Sequence, residues 1–161
     1  MHREYTVPTM AGDGSPNTNL EFVAVYNDLL LLVEANLASV PGKSTDVILK
    51  YLQARGQRLT TIKQDLLPLL IYAGVSGRPY QEAVPLAACW ALYLAAAHLL
   101  DDAQDIGRMP SANGAVAALG AANLTWVNAP VARDAMLDIL DAFSTVAVIG
   151  ANAQADEKKE R

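Results

Sequence analysis

The chain has 161 residues, of which 52% are hydrophobic, so it is long enough to form one domain with a sizeable core. Its net charge is −5 at pH 7, and Lys and Arg form no cluster before the last few residues; this argues against nucleic-acid binding, because a phosphate backbone needs a basic surface. Cys89 is the only cysteine, which excludes an internal disulfide and fits a reducing, cytoplasmic compartment.

The order of apolar runs and of Gly, Pro and Ser predicts an all-α bundle of about six helices. Residues 1–18 carry no apolar segment of a secretory signal, so we predict a disordered leader there. A helical domain is expected over 19–156, followed by a charged tail at 157–161. The helices are predicted at about 19–40, 44–55, 61–74, 83–105, 115–128 and 131–156.

Two prolines and several glycines set the predicted boundaries of these helices. Pro68 predicts either a kink in the third helix or its true start, because proline lacks the N–H of a helix interior. Residues 106–114 include Gly107, Pro110 and Gly114, and this composition predicts a loop.

The apolar run at 83–100 is nearly long enough to cross a membrane. However, it contains Pro85 and His98, has no basic flanks and is followed directly by two aspartates. We therefore predict that it is the central, buried helix of a soluble bundle and that the protein has no membrane span.

Three carboxylates, Asp101, Asp102 and Asp105, follow this run within five residues. In a helix, Asp101 and Asp105 lie on one face, at an end where the helix dipole is already negative. A divalent cation would relieve that repulsion, and Mg²⁺ prefers carboxylate oxygens and often bridges to substrate phosphates. The spacing D-D-x-x-D therefore predicts a magnesium site for a diphosphate; the alternative is a polar helix end that leads into a loop.

The order of these features resembles the N-terminal half of the trans-isoprenyl diphosphate synthases, or polyprenyl synthetases. The resemblance covers about residues 45–156. It rests on the aliphatic run at 66–74, on Gly77 and Pro79 at a turn, and on a following helix that ends in D-D-x-x-D.

The resemblance implies half of the isoprenoid synthase fold and a prenyltransferase activity. In that family, Mg²⁺ ions grip the diphosphate of an allylic substrate, whose ionisation gives a cation that the alkene of isopentenyl diphosphate attacks. The polyanionic leaving group needs cations, and the carbocation needs a dry, apolar cavity. Carried over, Asp101, Asp102 and Asp105 are the metal ligands and act in catalysis through the metal.

The resemblance also implies roles for residues around the acidic cluster. Those expected to bind the substrates are Arg58, Lys63, His98 and Arg108, and those expected to line the cavity are Trp90, Tyr93, Leu94 and Ala97. The alternative for His98 is a partly buried, hydrogen-bonded histidine, and for the bulky residues it is ordinary core packing.

Three departures from the family pattern limit what the resemblance implies. The paired arginines that bind isopentenyl diphosphate are absent, and Asp65 stands near their place. Only Arg108 follows the cluster, where the family has two arginines. The second aspartate-rich motif is missing; Asp134, Asp138 and Asp141 share a helix face but lie in the wrong place for it.

These departures leave three functions open. In the first, the chain is a truncated or half enzyme. In the second, it is a non-catalytic homologue that binds a prenyl diphosphate or a partner subunit. In the third, it is a plain helical interaction domain with a fortuitous acidic cluster. Half a bundle exposes apolar surface, and such surfaces usually find a partner. We therefore expect a homodimer or a complex with a partner subunit.

Overall fold

The computed structural model describes residues 19–38, 40–76, 78–127 and 129, and scattered residues between 137 and 149. By its internal contacts the chain divides into two compact units, residues 1–129 and 130–161. In the second unit, the described residues are helical, in the region where the last helix is predicted. The predicted leader at 1–18 and the predicted tail at 157–161 lie outside the described residues.

The fold of the described residues is all-α, which confirms the predicted class. The first unit contains α1 (Asn19–Leu37), α2 (Lys43–Arg55), α3 (Leu59–Asp65), α4 (Leu67–Ser76), α5 (Val84–Ile106) and α6 (Met109–Val127). A single 3₁₀ turn, Tyr80–Ala83, leads into α5.

The third predicted helix, at 61–74, is two helices in the structure. The helical conformation is interrupted at Leu66, between α3 and α4, and Pro68 is the second residue of α4. At that position the missing N–H of proline costs no hydrogen bond and its fixed φ suits a helical start. The interpretation of Pro68 as a helix start is therefore confirmed.

The predicted loop at 106–114 is wrong, because only two residues separate α5 from α6. Gly107 ends α5 in the left-handed conformation, with φ of 70°. Pro110 lies in the first turn of α6, where helices accept proline. Gly114 lies inside α6 and is buried: a β-carbon there would come within 2.8 Å of Cγ1 of Val47. This glycine serves close packing of α6 against α2, not a loop.

Helix α5 is the centre of the first unit and contacts all five other helices. Its buried side chains are small or aliphatic: Ala87, Ala88, Cys89, Ala91, Leu92, Ala95, Ala96 and Leu99. The predicted burial on all sides is wrong: Trp90, Tyr93 and Leu94 in the middle of the helix are only half-buried, and Ala97, His98 and Leu100 in its last turns are exposed. Neighbouring helices cover only the apolar part, so the acidic end remains in contact with solvent.

The segment Tyr80–Ile106 is long and apolar enough, by length and composition, to cross a membrane. Half of its most apolar window is buried inside the protein, as in the core helix of a soluble bundle. The segment is therefore consistent with the predicted lack of a membrane span.

A buried ion pair joins the first three helices. Asp65 of α3 is fully buried, and Arg55 of α2 donates to it from Nε at 2.9 Å and from Nη2 at 2.5 Å. From α1, the hydroxyl of Tyr26 donates to the carbonyl of Leu52 at 2.9 Å and lies 3.2 Å from Oδ2 of Asp65. The hydrogen bonds to Asp65 raise the pKa of Arg55, and burial raises the pKa of Tyr26.

Gly56, directly after α2, leaves room for the ring of Tyr26. A β-carbon on Gly56 would lie 2.6 Å from Cε1 of that ring, although the glycine has an ordinary right-handed backbone with φ of −62°. The ring cannot move away easily, because its hydroxyl is held by the hydrogen bonds described above. The sequence needs glycine here for space and not for backbone freedom.

We expect Arg55→Gln to lower the free energy of unfolding by about 3 kcal/mol, because it leaves Asp65 buried without its cation. The double variant Arg55→Met with Asp65→Leu removes both charges and should recover most of that loss. Urea unfolding followed by circular dichroism measures both variants. Equal losses in the single and double variants would show that packing, and not charge, is what the pair contributes.

The raised pKa of Tyr26 predicts alkaline destabilisation. The folded state holds the phenol neutral beyond its ordinary pKa of 10.0, so its contribution is complete below pH 10 and is lost as the pH rises above that value. We expect Tyr26→Phe to cost about 1 kcal/mol at pH 7 through its lost hydrogen bonds, and to flatten the fall in stability above pH 10. Urea midpoints across this pH range measure both effects, and an unchanged slope would contradict the second.

Candidate functional site

The acidic cluster, Asp101, Asp102 and Asp105, occupies the last turns of α5. All three side chains are exposed, and the last turn of α5 holds no basic residue. The negative end of the helix dipole therefore adds to the charge of the carboxylates. This end of the central helix attracts cations and is accessible to them from solvent.

Among the described residues, no three or more His, Cys, Asp or Glu side chains are grouped so that they could hold a metal ion. The three aspartates predicted as ligands are thus near one another in sequence but do not converge on a point. Their chemistry still fits Mg²⁺, which in substrate sites takes one or two carboxylates and completes its shell with water and phosphate oxygens. Such a site forms together with its substrate and needs no preformed cage.

Helix α2 lies beside the acidic end of α5. The ring centroids of Tyr51 and His98 are 6.2 Å apart, with the planes tilted by 33°. Burial raises the pKa of Tyr51, and the charge of Asp102 contributes to the same rise. Nη1 of Arg55 donates to the Tyr51 hydroxyl at 3.2 Å. Tyr51 therefore lies between the acidic cluster and the buried pair of Arg55 with Asp65.

Sequence reasoning missed Tyr51 and Arg55 as neighbours of the cluster. They are four residues apart and share a face of α2, as their interaction requires. Nothing in the sequence shows that this face of α2 meets the end of α5, because that contact depends on tertiary packing.

Of the predicted cationic residues, Arg108 follows the cluster by three positions, whereas Lys63 lies elsewhere. Lys63 and Arg58 are exposed, in α3 and directly before it. The carbonyl of Gln64 accepts a hydrogen bond from the Trp90 indole at 3.1 Å, so the end of α3 lies beside Trp90. At 1.5 Å per residue, Trp90 is about 16 Å before Asp101 along α5. The ammonium of Lys63 lies 5.2 Å from the centroid of the Phe22 ring on α1, and its neighbour Gln64 contacts the first half of α5 and not its acidic end.

The remaining site candidates lie along or just after α5. Trp90, Tyr93 and Leu94 are half-buried, whereas Ala97 is exposed, as is Arg108 after the helix. Burial raises the pKa of Tyr93, which fits packing against neighbouring helices. Their role in lining a cavity stays a prediction.

The alternative acidic cluster belongs to the second unit. Asp138 and Asp141 are exposed, and Asp134 lies outside the described residues. No described contact assigns these carboxylates a role beyond that of a solvated helix face.

Comparison of the chain with protein-family models, with curated proteins and with solved structures gives no match. The resemblance to polyprenyl synthetases therefore stays a prediction from the sequence.

Proposed function

We propose that this chain is a prenyltransferase-like domain of the cytoplasm that binds a magnesium-complexed allylic diphosphate through Asp101, Asp102 and Asp105. The supporting observation is the exposure of all three carboxylates at the negative end of the central helix, with no basic residue in its last turn. A cation bound there keeps open coordination positions for phosphate oxygens. The metal supplies charge neutralisation of the diphosphate, on which its departure depends.

The apolar part of α5 supports the same proposal. From 83 to 100 the helix carries no Asp, Glu, Lys or Arg, and the half-buried Trp90, Tyr93 and Leu94 keep part of their surface accessible. A prenyl tail that extends from the cluster along α5 meets apolar side chains. Such a wall excludes water from an allylic cation.

The sequence contains one D-D-x-x-D motif, and the reaction implied by the resemblance uses two aspartate-rich motifs that face each other. We therefore propose that a second copy or a partner subunit completes the cavity around isopentenyl diphosphate.

A second candidate is a non-catalytic subunit that binds a prenyl diphosphate or a partner synthase. Two observations favour it. The ammonium of Lys63 lies over the ring of Phe22 on α1, and the guanidinium of Arg55, which contacts Tyr51 next to the cluster, is held by Asp65. In the described part of the chain, neither cation is placed to grip a second diphosphate.

Inorganic pyrophosphate with Mg²⁺ tests the binding step. At ten times the dissociation constant, binding to the native state contributes about 1.4 kcal/mol, which should raise the unfolding midpoint by about 3–6 °C in a chain of this size. Pyrophosphate with a chelator should give no shift, because the carboxylates repel it. Thermal unfolding followed by circular dichroism measures the change.

Two variants localise that shift. Asp102→Asn should lose most of it, whereas Asp46→Asn, at an exposed aspartate in the first turn of α2, should keep it. Equal shifts of the unfolding midpoint in both variants, or no shift in the wild type at millimolar ligand, would contradict the proposed site. Either result would favour a helical interaction domain with a fortuitous acidic cluster.

A turnover assay separates the two candidates. With an allylic diphosphate, isopentenyl diphosphate and Mg²⁺, a prenyltransferase releases pyrophosphate and forms an elongated product. We expect this release, and we expect Asp101→Ala to abolish it. Magnesium-dependent binding without product would instead assign the chain to the non-catalytic candidate.

A further inference from the structure

Helix α6 has no charged residue in any of its 19 positions, yet the first unit buries only one side of it. The buried residues are Ser111, Gly114, Ala115, Ala118, Ala121, Ala122, Thr125 and Trp126, and α6 packs against α1, α2 and α5. A helix without a charged face is normally covered on all sides. The outer side of α6 is therefore a surface that lacks the charges of an ordinary solvated helix.

This outer side carries a continuous row of exposed residues, here named the α6 stripe: Met109, Asn113, Val116, Gly120, Asn123 and Val127. Their spacing of three or four residues places them on one face of the helix. Met109, Val116 and Val127 are 69%, 71% and 79% exposed. Leu119 and Leu124, 41% and 43% exposed, flank the stripe.

We propose that a second copy of this chain covers the α6 stripe, with the two α6 helices antiparallel across a two-fold axis. The stripe is palindromic about Ala118, as its residue numbers show. Met109 and Val127 are each nine positions from Ala118, Asn113 and Asn123 are each five, and Val116 and Gly120 are each two. An antiparallel pairing centred there sets each residue of the stripe opposite another residue of the stripe, so that both copies use the same patch, as in an isologous interface.

Each of the resulting pairs is complementary. Asn113 meets Asn123 of the second copy, and their amides both donate and accept hydrogen bonds, which fixes the register. Val116 meets Gly120 of the second copy, where nothing lies within 4 Å of the β-carbon position. The valine side chain therefore has space to fill, and the two helices approach closely.

The absence of charge on the α6 stripe permits a second copy as the occupant. The chain carries a net charge of −5, so two copies repel each other over most orientations. Along the α6 stripe no charged side chain opposes another, so this face permits contact without like-charge repulsion. The same neutrality offers no ion pair to an acidic or basic partner.

The area of the contact indicates a weak dimer. A helix of this length is about 28 Å long and about 10 Å wide, so two such faces bury about 570 Å² in total. Stable complexes bury about 1,200 Å² or more. The dissociation constant of the dimer should therefore be micromolar or higher. This proposal does not depend on the binding of magnesium or diphosphate.

Sedimentation velocity of the full chain from about 10 μM to about 1 mM, a range that spans weak association, tests the dimer. Val116→Lys puts like charges at the contact and should raise the dissociation constant at least about tenfold. The matched control, Val75→Lys, changes another exposed valine on α4, 84% exposed, and should leave the constant unchanged. Thermal unfolding verifies that both variants remain folded. A wild type that stays monomeric throughout, or a dimer that survives Val116→Lys, would overturn the proposal.

Disulfide trapping tests the register. A mixture of chains carrying Val116→Cys with chains carrying Gly120→Cys should form a covalent heterodimer, whereas either variant alone should form little. The native Cys89 does not interfere, because it is fully buried and burial raises the pKa of its thiol to about 12. Equal trapping of each variant alone would contradict the antiparallel pairing.

Two further outcomes would assign the stripe to another occupant and reject the proposal. In the dilute monomer, slow reaction of Val116→Cys with a soluble thiol reagent would show that the stripe is covered within one chain. Binding of the monomer to phosphatidylcholine vesicles, lost in Val116→Lys and retained in Val75→Lys, would show a lipid surface. None of these readouts involves magnesium, so this proposal and the proposed function fail separately.

Discussion

The first unit depends on one buried charge, the carboxylate of Asp65. A fully buried carboxylate is stable only with a cation and hydrogen bonds, and here Arg55 and the hydroxyl of Tyr26 provide them. Because these partners come from α2 and α1, satisfying one side chain of α3 sets the position of three helices. The same guanidinium reaches Tyr51, so the pair also determines which face of α2 lies against the acidic end of α5. The surroundings of the candidate site are in this way a consequence of core electrostatics.

The sizes of side chains set the rest of the packing. Alanines on α5 and α6 keep these two helices close, and Gly114 lets α6 approach Val47 of α2. Helices packed through small side chains lie close together, so an added methyl group at the contact should disturb the packing strongly. Such packing also explains why α6 contributes to the core without the amphipathic pattern of a surface helix: apart from Trp126 and Thr125, the residues of its inner face are Ala, Gly and Ser.

The sequence predicts the helices well where the effect of a residue depends only on its local backbone. Pro68 lies at a helix start, one of its two predicted roles, and the apolar run before Asp101 forms the predicted central helix. It fails at 106–114, because Gly114 and Pro110 resemble loop residues until their neighbours are known: the glycine faces Val47 and the proline lies in a first turn. No local pattern can give such contacts.

The same limit applies to the site. The positions of the three aspartates follow from helix geometry, so they could be predicted. The approach of Tyr51 to His98 joins residues 47 positions apart, and the distance of Lys63 from the cluster depends on where α3 packs along α5. Both features depend on how whole helices pack against one another. The burial of Asp65 helps to determine that packing, but no local sequence pattern at Tyr51, His98 or Lys63 indicates it.

The left-handed turn at Gly107 has a mechanical consequence. With only two residues between α5 and α6, there is no slack to absorb a shift of either helix. A shift of the acidic end of α5 should therefore also move Met109, the first residue of α6. Because α6 is a continuous helix, a displacement of its first residue should change the position of the whole helix.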